Sequence, residues 1–259
     1  MPFSSFQIPL ITIEQMKKID KLVVEHFKIG LIQMMENAGR NLADMLRRFD
    51  QRSLQNKCVA VVVGAGNNGG GGLVAARHLI NTGACITVLI PRKLKSPTAQ
   101  QQLKILKAFG ITPVWGEKCF DELRKTHFDF IIDALIGYGL TGRVRPLEAK
   151  LIQAINENQA RVISLDVPSG LNANSGKVMG VAVRADVTMT LALPKIGLMQ
   201  SHAVPYVGKL FLADISIPVK LYRQLGIEMG DIFSKEAVIH LGDEPVPLLE
   251  SDCSGYIFG

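Results

Sequence analysis

Apolar residues in this chain change their spacing near residue 57. Before it they recur with helical periodicity. Thr12 and Gln15 stand as the two ends of a capping box, which predicts a helix through Met16–Phe27 that stops at Gly30. A second helix is predicted over Leu31–Phe49, where Leu31, Met34, Met35, Ala38, Leu42, Met45 and Leu46 fall on one stripe. After Lys57, short apolar-through runs take over, at 57–64, 85–90, 112–115, 128–137, 160–170, 185–194 and 207–215. Runs of that kind suit strands buried on both faces. Amphipathic stretches at 72–83, 98–110, 121–127 and 147–158 separate the first five. The rhythm predicts an α/β fold: a three-layer α/β/α, doubly wound, mostly parallel Rossmann-like sheet with two N-terminal helices. With no linker or repeat in view, residues 1–240 read as one domain and 241–259 as an irregular tail.

Composition narrows the partners. The net charge of +6 is compatible with anionic ligands, but the one dense basic cluster, Arg92, Lys93 and Lys95, is short and lacks interleaved aromatics. Nucleic acid is therefore not an expected partner. Cys58, Cys85, Cys119 and Cys253 form no C-x-x-C pair and have no histidine at metal-site spacing, which points to reduced thiols. No apolar run reaches the ~18 residues of a membrane span, and the N-terminus has no secretory pattern. A soluble, cytoplasmic protein is expected.

Ligands of open parallel sheets sit beyond the carboxyl ends of the strands, and four strand ends here carry chemistry. The first is GAGNNGGGG, residues 64–72. Gly64, Gly66 and Gly69 satisfy G-x-G-x-x-G, in which glycines permit left-handed backbone and the next helix presents its positive end to an anion. Asn67 and Asn68 also tolerate left-handed backbone and offer carbonyl oxygens. The plain alternative is a tight strand-to-helix turn. The second is Asp133, followed by Gly137, Gly139 and Gly142; it suits a metal, a ligand hydroxyl, a turn cap or a pair with Arg143. The third is Asp166, ahead of Pro168, Ser169 and Gly170. The fourth is Lys195, which either neutralises a phosphate or is simply solvated. A nicotinamide dehydrogenase should carry an acidic residue about 20 positions past the glycines. Pro91, Arg92 and Lys93 stand there instead, which leaves an NADP-dependent oxidoreductase open. The histidines are scattered and no G-x-S-x-G elbow occurs, so metal hydrolysis and Ser–His–Asp chemistry lack support.

Four motifs, MMENAGR, GAGNNGGGGLVAARHL, DALIGYGLTG and LDVPSGLN, together resemble the NAD(P)H-hydrate epimerases, the YjeF N-terminal family, from about Thr12 to Asp214. The resemblance implies an isomerase that interconverts the R and S forms of hydrated NADH and NADPH, a nucleotide repair reaction; many bacterial members carry a dehydratase domain afterwards, and a stand-alone epimerase-type protein is expected here. By the same resemblance the substrate meets Asn67, Asn68, Gly69, Gly70 and Gly71. It also meets Gly137, Tyr138, Gly139, Leu140, Thr141, Gly142 and Arg143, and Asp166, the expected acid–base group. Asn68, Asp133 and Ser169 are implied to hold one potassium ion per subunit, and an all-oxygen set suits a hard cation better than zinc. A homodimer is implied too, with the two N-terminal helices as candidates for part of its interface.

One position departs from the family pattern, Asn-Asn-Gly-Gly-Asp-Gly: Gly71 stands where an aspartate is expected. If that carboxylate only bonds a ligand hydroxyl, its loss is worth about 1–3 kcal/mol of binding. If it acts as acid or base, the rate falls by ~10²–10⁴. A catalytically weakened nucleotide-binding or interaction protein of the same fold is therefore the alternative.

Overall fold

The computed structural model describes residues 8–49 and 53–242; the tail beyond 242, with Cys253, lies outside the described residues. Both N-terminal helices form where their spacing predicts, α1 at Ile13–Glu25 and α2 at Leu31–Phe49. Both bonds of the Thr12–Gln15 capping box are present. The alternation that follows is β1 (Cys58–Val63), α3 (Asn67–Ile80), β2 (Cys85–Ile90), α4 (Pro97–Ala108), β3 (Val114–Trp115), α5 (Lys118–Lys125), β4 (Phe130–Ala134), α6 (Pro146–Glu157) and β5 (Arg161–Leu165). The chain continues through β6 (Val187–Leu191), α7 (Val204–Val207), β7 (Lys209–Ala213), α8 (Val219–Gln224) and β8 (Val238–His240).

The strands form one sheet in the order β3-β2-β1-β4-β5-β6-β7-β8. All pairings are parallel except β7 with β8, an antiparallel edge that the apolar pattern did not predict. Burial on both faces explains the apolar-through runs. Val59, Val61 and Val63 pack toward α2, α3 and α4, whereas Ala60 and Val62 pack toward α5 and α6. The stripes of α1 and α2 are used within the chain: Met16, Ile19 and Val23 meet Met34, Ala38 and the strand-end segment 191–193, and Leu42, Met45 and Leu46 join the core over the sheet.

The glycine run departs from its sequence reading. Helix α3 begins at Asn67, so Gly69–Gly72 lie in its first turns and not in a loop. None of the glycines from Gly64 to Gly72 has positive φ. Their use is close approach. A Cβ on Gly64 would stand 1.8 Å from the Leu135 carbonyl oxygen, and one on Gly69 would stand 2.1 Å from the Gly64 carbonyl oxygen. Gly70 lies under Met35, and Gly72 against Ala134. Helical glycine costs up to about 1 kcal/mol each relative to alanine, and here that cost admits the dense contact of α3 with α2, β1 and β4.

Candidate functional site

Strands β1 and β4 are neighbours whose connections leave in opposite directions along the sheet, which makes their carboxyl ends the topological switch point. A cavity of about 650 Å³ opens there, within the range of small-molecule sites. Of the residues predicted to meet substrate, Asn67, Asn68, Gly71, Gly137, Tyr138, Gly139, Leu140, Thr141, Arg143 and Asp166 line it. Gly69, Gly70 and Gly142 do not: the first two are turned into the helix packing just described, and Gly142 holds a positive-φ corner of the loop.

Asp166 is the centre of the wall. It is buried, and its backbone has φ +70°, the left-handed region that non-glycine residues rarely adopt. Val167 N–H donates to the Leu165 carbonyl at 3.0 Å, so Asp166 sits at the middle of a positive-φ γ-turn, a strained corner. The same geometry recurs at the next strand end, where Ala192 has φ +66° and Leu193 N–H donates to the Leu191 carbonyl at 2.8 Å. These two corners aim Asp166 and Lys195 at each other. Lys195 Nζ donates to Asp166 Oδ1 at 2.5 Å, to the Leu191 carbonyl at 2.9 Å and to Thr190 Oγ1 at 3.3 Å. Tyr138 N–H donates to Asp166 Oδ2 at 3.0 Å. Lys195 is fully buried, so the solvated reading of this lysine does not hold. The backbone flanking it is also tied down: Ile11 N–H donates to the Pro194 carbonyl, and Ile196 N–H to that of Ile11, both at 3.0 Å.

Asp133 and Ser169 lie behind the cavity wall. Asp133 is fully buried, and the hydrogen bonds it accepts come from neutral donors. Ser169 Oγ (2.5 Å) and Leu135 N–H (3.2 Å) reach Oδ1; Ser164 Oγ (2.8 Å) and Ser169 N–H (2.9 Å) reach Oδ2. Burial pushes its pKa up, against the opposing pull of those bonds. Asn68 lies beside Gly137 and Asp166, since a Cβ on Gly137 would stand 3.1 Å from both its Cγ and Asp166 Oδ2. Its buried Nδ2 has no hydrogen-bond partner among the described residues.

Several lining residues went unmarked in the sequence. Helix α1 supplies Met16, Lys17 and Asp20. Asp20 is one turn from Met16 on an otherwise apolar stripe, and that placement is the signal that marks it. Tyr138 Oη donates to Asp20 Oδ2. Burial pushes the Asp20 carboxyl up, while Tyr138 and Lys195 pull the other way. Arg92, Lys95 and Arg145 also line the cavity. Arg92 is paired with Glu148 through Nε at 2.5 Å and Nη2 at 3.2 Å, so it is not a free clamp for a ribose phosphate.

The chain resembles known proteins in sequence and in fold. The family described as YjeF-related protein N-terminus matches residues 31–197. A NAD(P)H-hydrate epimerase of Dehalogenimonas lykanthroporepellens is 40% identical over 225 residues, 84% of this chain and 86% of the relative. The bifunctional NAD(P)H-hydrate repair enzyme Nnr of Moorella thermoacetica is 35% identical over 219 residues, 82% of this chain but 41% of that protein. In fold, the crystal structure of yeast ynu0 (YNL200c) matches with a TM-score of 0.79 at 24% identity, over 90% of this chain and 100% of that one. With the family matched across its strand-end motifs and relatives aligned over most of its length, the chain belongs to the YjeF-related protein N-terminus family.

Proposed function

We infer that the protein is an NAD(P)H-hydrate epimerase, interconverting the R and S forms of hydrated NADH and NADPH. The observation that carries this reading is the buried Asp166–Lys195 pair on the wall of a dinucleotide-type crevice, in a chain 40% identical to a NAD(P)H-hydrate epimerase. The hydrate bears a hydroxyl on the ring carbon beside the ring nitrogen. When the C–O bond breaks, the nitrogen lone pair forms an iminium ion; water then adds to the opposite face. Both events need a proton moved at the hydroxyl oxygen, and Asp166 is the group assigned to that work. Lys195 and the Tyr138 N–H hold its two oxygens, so its orientation is fixed before substrate arrives.

The reading includes a potassium ion held by Asn68, Asp133 and Ser169. Three features favour the fit: oxygen donors, a buried carboxylate with neutral hydrogen-bond partners, and the orphaned Asn68 amide, which presents Oδ1 when turned over. Asp133 and Ser169 would take a cation by opening the hydrogen bond between them. When bound, the ion supplies positive charge that offsets Asp133 and attracts the anionic groups of the ligand. Potassium chloride is expected to raise Tm above that in tetramethylammonium chloride of equal ionic strength, and Asp133→Asn to remove the increment; equal Tm values in both salts would exclude the site. A homodimer and a cytoplasmic setting belong to the same reading, and among the described residues no helix is long and apolar enough to cross a membrane.

The direct test is chromatographic separation of the two hydrate epimers, with and without protein and potassium. Wild type is expected to speed their equilibration; equal rates with and without protein would remove the epimerase reading. Gly71 bears on the weakened-binder alternative. It lines the cavity, yet a Cβ there would stand 2.7 Å from Leu165 Cδ2. Gly71→Asp therefore requires Leu165 to move, and it is expected to change kcat by less than about tenfold, since Asp166 is intact. A gain of ~10²-fold or more, the scale of an acid–base group, would mark the natural protein as an impaired member.

A further inference from the structure

Asp166 is not the only carboxylate on the cavity wall. Asp20 lines the same cavity from helix α1, a different layer from the strand end that carries Asp166. Tyr138 connects the two: its backbone N–H donates to Asp166 and its phenol donates to Asp20. The Lys195 ammonium lies 5.9 Å from the Tyr138 ring centroid and bonds Asp166 directly.

The two carboxylates differ in environment. Asp166 has an ammonium and a backbone N–H, the partners of a carboxylate that works as the anion. Asp20 has a neutral phenol, and burial favours its protonated form. Two acidic groups held by such different partners are placed to divide acid and base duties. Replacing one face of a hemiaminal by the other needs both duties at once: a proton for the departing hydroxyl, and a base for the incoming water.

We propose that Asp20 is a second catalytic carboxylate, working with Asp166 on the ring hydroxyl from the helix side of the cavity. This deepens the epimerase reading and rests on it. In one direction the Asp20 carboxyl gives its proton to the departing hydroxyl, the C–O bond breaks and water leaves, with the ring nitrogen lone pair forming C=N⁺. A water on the opposite face then adds to the same carbon, its oxygen forming the new C–O bond and its proton passing to Asp166. The reverse turnover, or exchange with solvent through the open cavity, restores the starting protonation. No oxidant or reductant is required.

The test compares wild type, Asp20→Asn, Asp20→Glu and Tyr138→Phe on a mixture of hydrate epimers across pH. Asp20→Asn keeps the volume and an acceptor for Tyr138, so a purely structural pin survives it. The expected result is a loss of ~10²-fold or more in kcat with KM nearly unchanged. The limb of the pH profile that falls as pH rises should vanish, and Asp20→Glu should recover part of the rate. Tyr138→Phe removes the phenol that opposes burial and should move that limb to higher pH. The charged and titratable groups around Asp20 are Lys17, Tyr138, Asp166, Lys195 and Tyr222; the comparison with Asp20→Asn assigns the limb among them. A rate for Asp20→Asn within fivefold of wild type, or an unaltered pH profile, overturns the proposal and leaves the epimerase reading standing. An inactive wild type overturns both.

Discussion

Asp166→Asn is expected to slow epimerisation by ~10²–10⁴, the usual contribution of a positioned acid–base group. The same change should also destabilise the protein, because it leaves the Lys195 ammonium fully buried without its counter-charge. Breaking one side of such a pair costs about 3–5 kcal/mol, a fall of roughly 6–20 °C in Tm for a chain of this size. The two effects separate in the double variant Asp166→Asn/Lys195→Met. Removing both charges takes away the uncompensated ion, so most of the lost Tm should return while the rate stays low. A double-mutant cycle on Tm, run beside the epimer assay, reads both quantities. An Asp166→Asn protein with full rate would remove Asp166 from the chemistry; a double variant no more stable than the single one would mean that the pair is not the source of the destabilisation.

The largest purely structural effect is expected at Gly64. Its missing side chain faces the Leu135 carbonyl oxygen, which a Cβ would meet at 1.8 Å, and no flexible side chain is available to yield. Gly64→Ala should force apart the loops after β1 and β4 and cost more than about 3 kcal/mol, beyond ordinary overpacking. Gly66→Ala is the control: among the described residues a Cβ there meets nothing within 4 Å, so its cost should stay within about 1 kcal/mol despite its N-cap position. Urea midpoints measure the difference, and equal midpoints for the two variants would refute the close-approach account.

What was legible in the sequence is what local chemistry decides. The capping box, the stripe of α2 and the apolar runs that became β1, β2, β4, β5, β6 and β7 all state their structure within a few residues. So does the placement of Asp133 and Asp166, one at the end of β4 and the other just past β5. The parts that escaped depend on distant partners. Helix α3 starts in a glycine run because Met35, Ala134 and Gly64 crowd that face, against the low helix propensity of glycine. Strand β8 is three residues long and exists through pairing with β7. Lys195 reads as a phosphate neutraliser or a solvated lysine until the corners at Asp166 and Ala192 bring it to a carboxylate. Asp20 stands out only as a polar residue on the apolar stripe of α1, and its partner Tyr138 comes from a distant loop.

The bonds that flank Lys195 have a kinetic consequence. Ile11 closes on Pro194 and Ile196, so the beginning of the described chain meets the end of β6 across almost the whole domain. A contact of such long sequence separation carries a large loop-closure entropy, which is offset only once the intervening sheet exists. The lysine is therefore expected to be seated late in folding, after β1, β4, β5 and β6 have aligned. A chain arrested earlier keeps most of its helices and lacks the ammonium that holds Asp166, so activity should return after the helical signal when the denatured protein is refolded.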